Sequence, residues 1–91
     1  MRQLKKVIKE AINDAGIKKA LDQEGVVIRW GEFVGKKISS VSTAERASAG
    51  ILVVRVDTSA WRQELHLQKE EIIKNINKKF GSKVIKEIRF I

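Results

Sequence analysis

The chain has 91 residues, no cysteine and one histidine, and its formal net charge is +8. This length predicts a single domain over residues 1–91, and the cysteine count excludes disulfides, thiolate metal sites and cysteine nucleophiles. His66 alone cannot build a zinc site, and no apolar run approaches the roughly 20 residues of a membrane span, so we expect no metal, no cofactor, no membrane contact and a cytoplasmic location.

The charge is concentrated at the two ends of the chain. Residues 1–22 carry 6 basic and 3 acidic side chains, residues 23–50 carry 4 and 3, and residues 51–91 carry 9 and 5. Such a field attracts polyanions, of which nucleic acid is the most common in the cytoplasm. The alternative is an ordinary solvated surface, because small domains often carry several net charges.

Residues 2–15 are predicted to form a first helix that ends at Gly16. Its apolar residues recur at helical spacing and form one face; they are Leu4, Val7, Ile8, Ala11, Ile12 and Ala15. Arg2, Lys5, Lys6 and Lys9 project within about 100° of one another on the other side. This basic stripe is either a nucleic-acid-binding face or a solvated helix face.

A second helix is predicted over residues 22–38, preceded by a short extra turn at 17–21. Its inner face would hold Val27, Trp30, Val34 and Ile38. Lys36 and Lys37 follow Gly35 without the longer glycine pattern of a phosphate-binding loop. We therefore expect these two lysines to contact backbone phosphates as simple cations.

Residues 43–49 are predicted to form an outer strand, and Ile51–Val56, apolar on both faces, a central one. A long helix then runs to Gly81, capped at its start by Asp57, Thr58 or Ser59. Its core stripe consists of Trp61, Leu65, Ile72 and Ile76. Leu67 falls on the polar side, either as an ordinary exposed leucine or as part of a partner-binding surface.

Residues 84–91 are predicted to form a third strand, parallel to the second because a helix connects the two. The fold class is therefore α+β, with the order α-α-β-β-α-β and a three-stranded mixed sheet covered by helices on one face. The uncovered face would present Ile51, Val53, Arg55, Ile85, Arg89 and Ile91. Apolar residues mixed with arginine on an open face indicate a partner or homodimer surface.

No catalytic constellation is apparent in the sequence. His66 projects near the boundary between core and surface, and helix capping explains the residue types at positions 57–59. The adjacent Glu70 and Glu71 point about 100° apart on a helix, so they do not form a carboxylate pair. We expect no catalytic residues and no enzymatic activity.

Several segments of the chain carry a family resemblance. Residues 54–65, Val-Arg-Val-Asp-Thr-Ser-Ala-Trp-Arg-Gln-Glu-Leu, resemble the signature of the DciA-like proteins: a strand, a small polar pair, Ala-Trp, then Gln-Glu-Leu. The resemblance continues through Ile-Asn-Lys-Lys-Phe-Gly at 76–81 and Trp-Gly-Glu-Phe-Val-Gly at 30–35, and it covers about residues 20–91.

The resemblance implies a KH-like domain that binds DNA and the bacterial replicative helicase. The chain lacks the Gly-x-x-Gly loop of true KH domains, so contact with nucleic acid is expected through lysine, arginine and backbone phosphate. Within the family motif, Trp61 is either a core anchor or an interface residue beside Arg62. The expected partner-binding residues are Trp61, Arg62, Leu67, Arg55 and Arg89.

Three functions follow as hypotheses. The first is a non-enzymatic adaptor that binds DNA and the replicative helicase. The second is a general module for RNA or single-stranded DNA without a helicase partner. The third is an interaction protein that dimerises through its open sheet face.

Overall fold

The computed structural model describes residues 15–91, which form a helical region, a β-hairpin, a long helix and a final strand. The elements are α1 (Ala15–Ile28), α2 (Trp30–Val34), α3 (Lys36–Ser39), β1 (Ser42–Ser48), β2 (Ile51–Val56), α4 (Ser59–Phe80) and β3 (Glu87–Phe90). The predicted α+β class and the order α-α-β-β-α-β are confirmed. None of these helices is long and apolar enough to cross a membrane.

The predicted first helix lies almost entirely outside the described residues, and so do Arg2, Lys5, Lys6 and Lys9. The prediction that Gly16 ends a helix is wrong, because α1 continues through it. Residues 17–21 belong to the same helix rather than to a separate turn. A single glycine costs a helix only about 1 kcal/mol relative to alanine, which the rest of a 14-residue helix can offset.

The prediction of a continuous helix over residues 22–38 is also wrong, because the helical conformation is interrupted at Arg29 and at Gly35. Gly35 has φ +88° and ψ 167°, a conformation essentially confined to glycine and incompatible with a continuing helix. The break separates α2 from α3 and turns Lys36 and Lys37 into the first residues of a new helical turn.

The sheet has the order β1-β2-β3, with β1 antiparallel and β3 parallel to the central β2. The central position of β2 was predicted from its apolar run, and Leu52, Val53 and Val54 are all buried. The β1–β2 register shifts between Ala44 and Arg46, which makes Glu45 the extra residue of a β-bulge.

The hydrophobic core lies between the helices and one face of the sheet. Its buried members are Val26, Trp30, Leu52, Val54, Val56, Leu65, Ile72, Ile76, Val84, Ile85, Ile88 and Phe90. Trp61, predicted to share the α4 stripe, packs against this cluster but stays partly exposed. Part of the Trp61 side chain thus contributes to the core, and its role at an interface stays a prediction.

The ends of α4 are those predicted from sequence. The Thr58 hydroxyl accepts a hydrogen bond from the Trp61 N–H at 3.1 Å, and Gly81 closes the helix with φ +71°. The residues that follow differ from prediction: β3 covers Glu87–Phe90 only, and Ile85 is fully buried instead of lying on the open face. The reason is that Asn77 of α4 binds the Ile85 backbone and holds it against the core.

Candidate nucleic-acid and partner surfaces

Within residues 15–91, no three His, Cys, Asp or Glu side chains lie close enough to hold a metal ion. His66 is exposed, with its ring edge-on to Phe90 at 5.4 Å between centroids. The distinctive features of the described surface are exposed cations and apolar side chains, which form three separate areas.

The first area, the Lys37–Trp61 surface, combines Lys36 and Lys37 with Ala60, Trp61 and Glu64. The Lys37 ammonium lies 5.8 Å from the Trp61 ring centroid, within the range of a cation–π interaction. Ala60, Trp61 and Glu64 line a shallow cavity of about 150 Å³. The structure thus brings a predicted phosphate-binding lysine next to a predicted partner-binding tryptophan, although the two come from different helices.

Arg62 and Leu67, also predicted to bind a partner, have different surroundings. Arg62 is half-buried, and its Nη1 donates to the Val56 carbonyl at 3.2 Å, which ties the start of α4 to the end of β2. Leu67 is 80% exposed. It follows Trp61 by six residues, a rotation of about 240° on a helix, so it lies away from the Lys37–Trp61 surface.

The second area, the arginine face, is the side of the sheet turned away from the core. Residues paired across a sheet share a face, so the register defines its members. They are Thr43, Arg46, Ser48, Ile51, Val53, Arg55, Glu87 and Arg89, with Glu45 at the bulge. Arg46, Val53 and Arg89 form one row across the three strands.

The two carboxylates near this face, those of Glu45 and Glu87, each form an ion pair. Glu45 accepts a hydrogen bond from Arg55 Nε at 2.7 Å, and this contact raises the pKa of Arg55. Glu87 lies 3.0 Å from the Lys69 ammonium on α4. Hydrogen bonds from Lys69 and from the Ile88 N–H lower the pKa of Glu87. Both shifts therefore arise from exposed ion pairs, not from an enclosed pocket.

Sequence reasoning identified Arg55 and Arg89 on this face but missed Arg46. Strict alternation along β1 from the buried Ser42 would turn Arg46 toward the core. The bulge at Glu45 shifts the alternation by one residue, so that Ala47 faces the core and Arg46 faces outward. Glu45 and Arg46 lie in a segment of low strand propensity, and their residue types do not indicate a β-bulge.

A further cationic area was also missed by the sequence analysis. Lys18, Lys19 and Asp22 of α1, together with Ser82 and Lys83, line a cavity of about 320 Å³. Lys18 forms an ion pair with Asp22 at 3.1 Å. The α1 residues of this cavity are about 60 positions away in sequence from Ser82 and Lys83. Only the fold brings the end of α4 beside α1.

The fold and its surfaces define a small basic α+β domain with exposed cationic and apolar areas. Residues 3–90 match the family described as Dna[CI] antecedent, DciA, and the chain belongs to that family. The resemblance seen over residues 20–91 is confirmed, and the match extends nearly to the first residue. Because this family is associated with the loading of the replicative helicase, membership supports a role connected with DNA replication.

Two curated relatives are longer than this chain. A UPF0232 protein of Corynebacterium glutamicum (strain R) is 29% identical over 83 residues, which is 91% of this chain and 47% of the relative. A UPF0232 protein of Rhodococcus jostii (strain RHA1) is 31% identical over 67 residues, 72% of this chain and 36% of the relative. The chain therefore spans less than half the length of these relatives.

Proposed function

We propose that this protein is a non-enzymatic adaptor that binds DNA and engages the bacterial replicative helicase during the initiation of replication in the cytoplasm. The observation that carries the proposal is the family match over residues 3–90. The net charge of +8 supports the DNA-binding part, because a cationic surface gains affinity for a polyphosphate by releasing its counterions.

The DNA contacts would come from exposed cations. Lys36 and Lys37 are both exposed at the start of α3. Arg2, Lys5, Lys6 and Lys9 remain proposed contacts on the strength of their sequence pattern. Backbone phosphate is the expected target, so binding should weaken steeply with salt and show little dependence on base sequence.

The helicase contact is proposed at the Lys37–Trp61 surface. A partly exposed tryptophan beside a shallow cavity is the type of residue that dominates protein interfaces. Arg62 would act indirectly by holding the start of α4 against β2. Leu67 would have to contact a second region of the partner, because it lies on another side of the helix.

A homodimer through the arginine face is a weaker proposal. A two-fold interface would bring the same patch of both subunits together. The patch that carries Arg46, Arg55 and Arg89 would then face its own copy, and like charges in close contact oppose association.

The test is binding of fluorescent single- and double-stranded DNA oligomers across a salt series, with and without the cognate helicase. Salt-dependent binding and a helicase complex are the expected results. DNA binding without any helicase complex at low salt would favour the general nucleic-acid module instead. Trp61→Ala should weaken the complex, whereas Gln63→Ala, an exposed position on the same helix, should leave it unchanged.

A further inference from the structure

We propose that the arginine face binds the phosphate backbone of nucleic acid laid across the open side of the sheet. The inference rests on the proposed DNA-binding function and deepens it, because it assigns the contact to Arg46, Arg55 and Arg89. None of these arginines is among the six cations predicted from sequence to contact nucleic acid, and Arg55 and Arg89 were predicted to bind a protein partner instead.

The sheet register sets the spacing of the three guanidinium groups. Arg46 and Arg89 lie on either side of Val53 in one row, so their backbones are about 10 Å apart. Arg55 lies two residues further along the central strand, a rise of about 7 Å. The three side chains therefore form a triangle of positive charge on a rigid sheet rather than on a loop.

The guanidinium groups keep donors available for a ligand. Glu45 engages the Nε of Arg55 and approaches Arg46 only to 3.8 Å. The Arg89 guanidinium makes no hydrogen bond or ion pair with any residue in the described range 15–91, although its charge helps to lower the pKa of Glu87. Each guanidinium has five N–H donors in a planar fork that matches phosphate oxygens, and most of these donors have no partner among residues 15–91.

Val53, the apolar residue between Arg46 and Arg89, helps to position these arginines. Val53 is only 7% exposed although it faces away from the helix-covered core. Its neighbours in the register on the two flanking strands are Arg46 and Arg89, so the aliphatic stems of these arginines start beside it. Side chains whose stems are already packed lose less conformational entropy when a ligand binds their charged ends.

The chemistry of the face favours phosphate over bases. Its described members include no aromatic side chain on which a base could stack. The nearby carboxylates are each paired with a cation, Glu45 with Arg55 and Glu87 with Lys69, which limits their repulsion of an anion. We therefore expect contact without base recognition, to single-stranded or duplex DNA, and comparison of the two substrates will show which one the face accommodates.

The first experiment adds negative charge to the face without removing any arginine stem. Thr43 and Ser48 are exposed on β1 and belong to the arginine face, so T43E/S48E places two carboxylates there. The matched control, Q63E/N75E, makes the same change of −2 at exposed positions of α4. Binding of labelled single-stranded and duplex DNA is measured for both variants across a salt series.

The expected result is a loss of about tenfold or more in affinity for T43E/S48E and less than about threefold for the control. The slope of log affinity against log salt should fall by roughly 1 to 2 for T43E/S48E only, because about two phosphate contacts are lost. Equal losses in both variants would overturn the inference, since they would reflect net charge alone.

A second experiment removes the cations themselves. R46Q/R55Q/R89Q is compared with K74Q/K78Q/K79Q, which removes three exposed cations from α4, after circular dichroism confirms that both are folded. Only the arginine variant should lose DNA affinity beyond the effect of net charge. If it keeps the affinity of its control but loses the helicase complex, the face binds protein and the inference fails. If the wild-type protein binds no DNA at all, the proposed DNA-binding function fails as well.

Discussion

Asn77 holds the backbone of Ile85 with both ends of its side-chain amide. Its Nδ2 donates to the Ile85 carbonyl at 2.8 Å, and its Oδ1 accepts the Ile85 N–H at 2.9 Å. The amide therefore replaces the strand partner that residue 85 would otherwise need, and it fixes the connection between α4 and β3. Because Ile85 and Val84 are buried, this connection is part of the core.

The first prediction concerns this pair. Asn77→Ala should lower the free energy of unfolding by about 1–3 kcal/mol, because it leaves two backbone groups without partners. Asn77→Asp should also destabilise the fold, since a second acceptor would face the Ile85 carbonyl. Urea unfolding of both variants checks this, with the exposed Asn75→Ala as control. A loss in Asn77→Ala no larger than in the control would contradict the structural role.

The second prediction concerns the buried Trp30. Its Nε1 donates to Ser42 Oγ at 2.9 Å, and that hydroxyl donates to the Ile38 carbonyl at 2.6 Å. Ser42→Ala should cost about 1–3 kcal/mol, because the indole N–H is left buried without an acceptor. Thermal unfolding followed by tryptophan fluorescence measures the change. Ser40→Ala, which alters an exposed hydroxyl, should have a much smaller effect.

The third prediction concerns the hairpin turn between β1 and β2. Ala49 and Gly50 have φ of +53° and +79°, the pattern of a type I′ turn, which favours Asn-Gly. Ala49→Asn should therefore raise the free energy of unfolding by up to about 1 kcal/mol. Gly50→Ala should lower it, because a Cβ there would lie 2.8 Å from the Lys86 side chain. Equal stability of the two variants in denaturant unfolding would show that the turn does not control the hairpin.

The fourth prediction concerns pH. Because hydrogen bonds from Lys69 and the Ile88 N–H lower the pKa of Glu87 in the folded protein, its ionised form stabilises the fold. This contribution is fully present above the unfolded pKa of about 4.3 and is lost as pH falls through the lower folded pKa. Glu87→Gln should thus be less stable than wild type at pH 7, with the difference shrinking below about pH 4. Stability measured from pH 7 to pH 3 tests this, and a difference that stays constant with pH would contradict it.

Sequence reasoning succeeded where a local signal and the tertiary structure agree. The apolar run of β2 and the Thr58 and Gly81 caps of α4 gave the central strand and the long helix with the bounds that the structure shows. Sequence reasoning failed where the backbone conformation of a single residue decides whether a helix continues. The left-handed φ of Gly35 splits a helix, and no pattern of apolar spacing contains that information.

The candidate site was predictable only in part for the same reason. Arg55 and Arg89 follow from alternation along regular strands, whereas Arg46 reaches the same face through the bulge at Glu45. Ile85 was wrongly predicted to lie on the open face of the sheet. Its backbone binds the Asn77 side chain of α4, 8 positions away, instead of a neighbouring strand. Both features depend on contacts between elements, which periodicity within a single element cannot reveal.

The bulge at Glu45 has a second consequence, which concerns the free edge of the sheet. β1 is an outer strand of the sheet, and an outer strand with a regular ladder of free N–H and carbonyl groups invites pairing with another molecule. The extra residue interrupts that ladder at its middle and places charged side chains there. We therefore expect the bulge to disfavour pairing between the sheet edges of two copies of this chain.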